Sequence, residues 1–140
     1  MTFLLYYCTI EGMEIIIDAS CIIAVLLGEE KAIEVKEKTK GTTLVSPFCL
    51  PYEIGNSLTA CLKRCRINNE QAIFAYKQFE MIPIRFIEPD IKTAIQIAAE
   101  ENCYAYDMFY VTCALDTGLS LYSLDNGLVN IAKKRGVKCL

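Results

Sequence analysis

Four acidic residues stand where apolar runs end or helical stretches begin. Asp18 follows Glu14-Ile15-Ile16-Ile17, and Asp125 closes Leu121-Tyr122-Ser123-Leu124-Asp125. Asp107 opens Tyr106-Asp107-Met108-Phe109-Tyr110, and Glu53 lies in Pro51-Tyr52-Glu53-Ile54-Gly55-Asn56. In an open α/β fold the strands deliver their last residues to one edge, and ligands bind outside it. Carboxylates gathered there repel one another unless a cation holds them. An oxygen-only ligand set selects a hard cation, Mg²⁺ or Mn²⁺.

Each acid also has a plainer role. Aspartate at a helix N-terminus caps it, which suits Asp18, Asp107 and Asp125, and Glu53 suits a solvated helix position. Four acids meeting at one rim exceed what capping requires. Ser20 and Ser123, each two positions from an aspartate, could fix a metal-bound water or a phosphate oxygen, or be ordinary polar residues of a helix end and a strand. Asn126 could face the same pocket or simply shape its turn.

The elements that must position these groups can be read from the pattern. Residues 14–17 form a buried β-branched strand, followed by a helix from Ala19 that ends at Gly28. A charged amphipathic helix runs from Glu29 to Lys40, with Glu34 and Lys38 as an i,i+4 pair, and Gly41 stops it. Thr42–Val45 is a second strand. Ser46-Pro47 marks the next helix start, and that helix carries Glu53 and reaches about Cys65; Pro51 allows a start a few residues later. Asn68-Asn69 caps a helix over 70–80, and 83–87 is a third strand. The spacing of Ile91, Ala94, Ile95, Ala98 and Ala99 predicts a helix. Another runs from Tyr106 to Leu115, then a strand over 119–124, a helix from Asp125 through Lys134, and a short final strand over 137–139. This alternation predicts an α/β three-layer sandwich around a mostly parallel sheet of four to five strands.

Composition removes several chemistries. The chain has 140 residues, enough for one domain. Apolar residues make up 54% and charged residues 22%, an ordinary globular balance. A net charge of −3 argues against binding a polyanion by bulk charge. There is no histidine, so a Ser-His-Asp triad, a Cys-His dyad and paired-histidine RNA cleavage are excluded. The eight cysteines show no Cys-x-x-Cys and no close-paired zinc spacing. A sulfur-only zinc or iron–sulfur site would have to assemble from scattered positions, so they are read as buried small hydrophobes in a reducing cytoplasm. No run is long enough to span a membrane. Met13 directly precedes the first strand, so the domain is assigned to 13–140, with 1–12 an upstream extension or an extra strand or arm.

Asp18-Ala19-Ser20 after an apolar strand, Pro51-Tyr52-Glu53, the stretch Tyr106 to Ala114, and Tyr122 to Leu128 occur in an order that resembles the PIN-domain family, from Met13 onward. The single-domain size is similar to VapC-like ribonuclease toxins. The resemblance implies a metal-dependent nuclease with Asp18, Glu53, Asp107 and Asp125 as its acidic quartet. It further implies RNA as substrate and an antitoxin protein as partner, with a homodimer as the expected assembly. On this reading Asp18 and Asp107 hold the principal ion, Asp125 shares it, and Glu53 ligates through water or orients the nucleophile. The chain departs at Met108, where the family commonly has a small residue; a methionine there could narrow the pocket. Asp116 is an extra acid, read as solvent-facing.

Substrate would be gripped by Lys63, Arg64 and Arg66, about 15 Å along the helix from Glu53. Lys133, Lys134 and Arg135 are a second candidate, although basic residues in a last helical turn also favour the helix dipole. The main alternative is a catalytically silent nucleic-acid-binding or protein-interaction module of the same fold. A phosphoacceptor receiver or aspartyl-phosphate phosphatase fits poorly, because Ser20 stands where Asp-x-Asp chemistry needs an acid. No Gly-rich nucleotide cradle is present.

Overall fold

The computed structural model describes residues 12–140. The extension over 1–12 therefore lies, apart from Gly12, outside the described residues. Four strands form the sheet: β1 (Glu14–Ile17), β2 (Thr43–Pro47), β3 (Ile84–Ile87) and β4 (Ser120–Tyr122). Their order is β3-β2-β1-β4 and every pairing is parallel. The fifth strand expected over 137–139 reduces to one parallel bridge between Leu121 and Cys139.

Alternation along β1 sorts the core into two halves. Ile16 packs on one side with Val45, Met108, Val111 and Leu121. This side is covered by α5 (Ile91–Glu101), α6 (Ala105–Thr117) and α7 (Asn126–Lys134). Ile15 and Ile17 face the other side, with Cys21, Leu50, Ile54 and Phe79. There α1 (Ala19–Leu26), α2 (Ala32–Thr39), α3 (Leu50–Lys63) and α4 (Asn69–Glu80) lie. A sheet buried on both faces needs near-continuous apolar strands, and Ile15-Ile16-Ile17 is such a run. The architecture is the expected three-layer α/β sandwich.

Local signals set most boundaries. Asn68 and Gln71 form a reciprocal capping box at the start of α4. Glu34 and Lys38 make the anticipated ion pair at 3.0 Å. Ser46-Pro47, read as a helix start, instead ends β2. Pro47 lies past the end of the β1 pairing, where a missing N–H is tolerated, and the proline of the helix's first turn is Pro51. The apolar face expected on α5 is shifted: Ala94, Ile97 and Ala98 are buried, whereas Ile91 and Ile95 are exposed. Of the cysteines, Cys21, Cys61 and Cys113 are buried, as read. Cys65 is exposed in a left-handed conformation just beyond α3, and Cys8 lies outside the described residues.

This order places a switch point beside β1. The chain proceeds from β1 to β2 and β3 on one side, and β4 joins on the other. The crevice outside the carboxyl ends of β1 and β4 is therefore where a doubly wound sheet binds ligands.

Candidate active site

Asp18 and Asp125 reach this crevice as the residues that follow β1 and the β4 turn, and both also cap helices. The Asp18 carboxylate is buried and held from three directions. Its Oδ1 accepts from Ser20 Oγ at 2.6 Å and from the Cys21 N–H at 3.3 Å. Its Oδ2 accepts from Ser123 Oγ. Both serines are themselves tied to the segment that follows β4. Leu124 N–H donates to Ser20 Oγ at 2.9 Å, and Asp125 N–H donates to Ser123 Oγ at 3.0 Å. Ser20 and Ser123 thus clamp Asp18. A carboxylate offers about four lone-pair directions, and three of those on Asp18 are used.

Asp125 caps α7 through one oxygen only. Its Oδ1 accepts from Gly127 N–H at 2.9 Å and Leu128 N–H at 3.2 Å, which leaves Oδ2 available. Capping and ligation therefore do not compete at this residue. Asn126 is exposed in the first turn of α7.

Glu53 enters from the first turn of α3 and Asp107 from the first turn of α6. Tyr110 Oη donates to Glu53 Oε2. Tyr110 lies three residues beyond Asp107 on the same helix, so one face of α6 serves both acids. That i,i+3 spacing from Asp107 is the sequence signal for a role of Tyr110 at the site. Met108 does not narrow the pocket. Adjacent helix positions point to different faces, and Met108 is fully buried in the core. Asp116 is exposed, as expected.

Three of the four carboxylates have their pKa raised by burial and by the charge of acidic neighbours. Burial raises the pKa of Asp18, its three hydrogen bonds oppose that rise, and Asp125 adds to it. Burial also raises Asp107, and the charges of Asp125 and Asp18 push it further. Burial lifts Glu53 to about 7 against the Tyr110 bond, with Asp107 and Asp18 contributing. None of the seven ion pairs among the described residues includes any of the four.

This donor set fits a hard dication in kind: it is oxygen-only, anionic and uncompensated. It is not a closed cage, since among the described residues no three acidic or cysteine side chains stand ready around one point. Mg²⁺ suits an open arrangement, because it keeps several waters and takes one or two carboxylates directly. Asp18 and Asp125 have free lone pairs to offer, and Asp107 stands within their electrostatic reach.

A cavity of about 540 Å³ opens beside the acids. Glu53 and Asp107 line it, with Tyr52, Asn56, Tyr104 and Tyr106 around its mouth. A second cavity of about 520 Å³, between the end of α1 and α4, touches none of the quartet. The basic clusters stand apart from the acids. Lys63 ends α3 and Arg64 caps it, while Arg66 pairs with Glu29 at 3.2 Å. In the second cluster Lys134 and Arg135 are bound to Glu100 and Glu101 of α5 at 2.7–3.0 Å, which occupies them structurally.

The family model for the PIN domain matches residues 15–134. Among solved structures, the chain is similar to PAE2754 from Pyrobaculum aerophilum, at 24% identity over 91% of each chain with a TM-score of 0.66. It is also similar to FitAcB from Neisseria gonorrhoeae, at 17% identity over 90% of this chain and 96% of that one, with a TM-score of 0.59. At these identities the likeness concerns the fold. No curated protein matches by sequence. With the match spanning all four acids, the chain belongs to the PIN-domain family, a family of metal-dependent nucleases.

Proposed function

We propose that the protein is a Mg²⁺- or Mn²⁺-dependent endoribonuclease that hydrolyses RNA phosphodiester bonds, and that it is the toxin of a toxin–antitoxin pair acting in the cytoplasm. One observation carries the catalytic part: of four carboxylates from four separate segments, Asp18, Glu53 and Asp107 have their proton affinity raised by burial and by the charge of acidic neighbours, and no cationic side chain among the described residues is ion-paired to any of the four. Asp18, Asp107 and Asp125 would hold the ion, with Glu53 acting through water or on the nucleophile. When bound, the ion supplies activation of water and neutralises charge on the phosphate.

The chain's own residues do the rest. Ser20 and Ser123 fix the plane of the Asp18 carboxylate, so its remaining lone pair has a set direction. In the metal-free site Glu53, lifted to about 7, can hold a proton at neutral pH on Oε1, because Oε2 accepts from Tyr110. Without a cation the cluster repels an anionic phosphate, so substrate and ion must enter together. Lys63, Arg64 and Arg66 are offered as cationic contacts for the strand, and Asn126 as a polar contact at the opposite rim.

The toxin role rests on the single-domain size and motif order that resemble VapC-like toxins. Exposed Ile73 and Phe74 on α4 are suited to a protein partner, either an antitoxin or a second copy of the chain. No helix among the described residues is long and apolar enough to cross a membrane. A second reading, a silent binding module, draws on the absence of a preformed ligand cage among the described residues.

Mn²⁺ titration by electron paramagnetic resonance, run beside RNA cleavage with and without chelator, separates the two. The nuclease reading expects tight Mn²⁺ binding and chelator-sensitive cleavage, both lost in Asp18→Asn. Undiminished cleavage by that variant refutes the assignment.

A further inference from the structure

Three tyrosines surround the mouth of the acidic cavity. Tyr104 is 89% exposed, Tyr52 78% and Tyr106 56%. Each is a chain neighbour or near neighbour of an acid of the site: Tyr52 precedes Glu53, Tyr106 precedes Asp107, and Tyr104 caps the same helix. An aromatic ring this open to water gains little for folding. Tyr106 is not loose, since its ring meets Phe109 edge-on with centroids 5.6 Å apart. Asn56 and Ser57 also line the cavity. They lie one helical turn beyond Tyr52 and Glu53 respectively, on the same faces of α3. The mouth thus combines flat π-faces with an amide and a hydroxyl.

That combination matches a nucleobase, which has a π-face for stacking and donor and acceptor groups along its edge. It suits a phosphate backbone poorly, because nothing cationic among the described residues lines the cavity. Anything resting on the rings sits beside Glu53 and Asp107. We infer that Tyr52, Tyr104 and Tyr106 form a stacking rim for unpaired bases flanking the phosphate to be cut, so that a single strand is accepted and a duplex refused. The inference rests on the nuclease reading above and adds the groups that select the substrate. A duplex hides both faces of each base in its own stack and leaves the rim without a partner.

Binding tests this apart from catalysis. The chain has eight tyrosines and no tryptophan, so its intrinsic emission comes from tyrosine. The full-length protein is titrated in Ca²⁺ buffer with decauridylate, with the same strand carrying abasic sites, and with a duplex of equal length. The expected result is quenching by the decauridylate and weak binding of the other two. Tyr52→Ala and Tyr104→Ala should each weaken single-strand binding roughly 5- to 100-fold, while Tyr→Phe at either position binds like the parent. The melting temperatures of these surface variants should match the parent.

Turnover of decauridylate with Mn²⁺ at saturating strand is the second readout, because saturation removes differences in binding. The alanine variants should hydrolyse the strand like the parent. A parent that fails to hydrolyse it but binds single strands through the tyrosines refutes the nuclease reading and retains the rim. Equal binding of the abasic strand, or alanine variants that bind decauridylate unchanged, overturns the rim. If those variants instead lose only a protein partner, the surface belongs to that partner and the inference is likewise overturned.

Discussion

Replacing Glu53 by Gln should stabilise the metal-free protein at alkaline pH and leave it unchanged in acid. The glutamine amide oxygen still accepts from Tyr110 Oη, so the substitution removes charge and little else. Burial, together with the charges of Asp107 and Asp18, lifts Glu53 from 4.5 to about 7 in the fold. A rise of that size bounds the cost of ionising the folded carboxylate at roughly 3 kcal/mol. The side chain is only partly buried, so solvent screening reduces this to about 1–2 kcal/mol. A raised carboxylate pKa sets the direction. Below about 4.5 both states hold the proton and there is no penalty. Between 4.5 and 7 the unfolded chain ionises first, so stability falls as pH rises, and above 7 the penalty is complete. Thermal unfolding in chelator should therefore show Glu53→Gln melting roughly 3–8 °C above the parent at pH 8. At pH 4.5 the two should coincide. Equal melting at pH 8, or the same gain at both pH values, would show that charge crowding is not what distinguishes this site.

Asp107→Asn should likewise raise the melting temperature in chelator at pH 8, because its carboxylate is burdened by burial and by Asp125 and Asp18; it should also abolish Mg²⁺-dependent cleavage, and retained cleavage would remove Asp107 from the ligand set. Ser123→Ala strips one donor from Asp18 and orphans the Asp125 N–H, a loss of about 1–3 kcal/mol. That loss should be larger at pH 8 than in acid, since the bond favours ionised Asp18; a pH-independent loss in denaturant titration would contradict the clamp. Tyr122→Phe removes a buried hydroxyl that has no partner among the described residues, so stability should rise by about 1 kcal/mol. A lower denaturation midpoint would mean that the hydroxyl is satisfied after all.

The quartet was legible in the chain because each acid sits beside a strong local signal. The isoleucine run before Asp18 is short, β-branched and bounded by polar residues, which favours a buried strand, and Asp125 carries a cap and a turn behind it. Pro51 marks the first turn that holds Glu53. Where such signals conflicted, the reading slipped. Ser46-Pro47 carries a helix-start pattern, yet it completes β2 because its neighbours are strands. Met108 is next to Asp107 along the chain but on another face of α6, inside the core.

The roles of the residues around the acids are another matter. Ser123 and Asp18 are 105 positions apart, and Tyr110 and Glu53 are 57 apart. No local pattern encodes such pairs. They exist because β4 adds to the sheet beside β1 rather than beside β3, and because α6 crosses the face of the sheet near the first turn of α3. Lys134 and Arg135 were equally ambiguous until α5 was placed against α7 and supplied Glu100 and Glu101. Periodicity and end signals, which act over a few residues, determined where the carboxylates lie along the chain and which element carries each. Strand order and helix docking, which act between distant segments, decided which groups clamp them, which cations are already taken, and which aromatic rings are left facing the solvent.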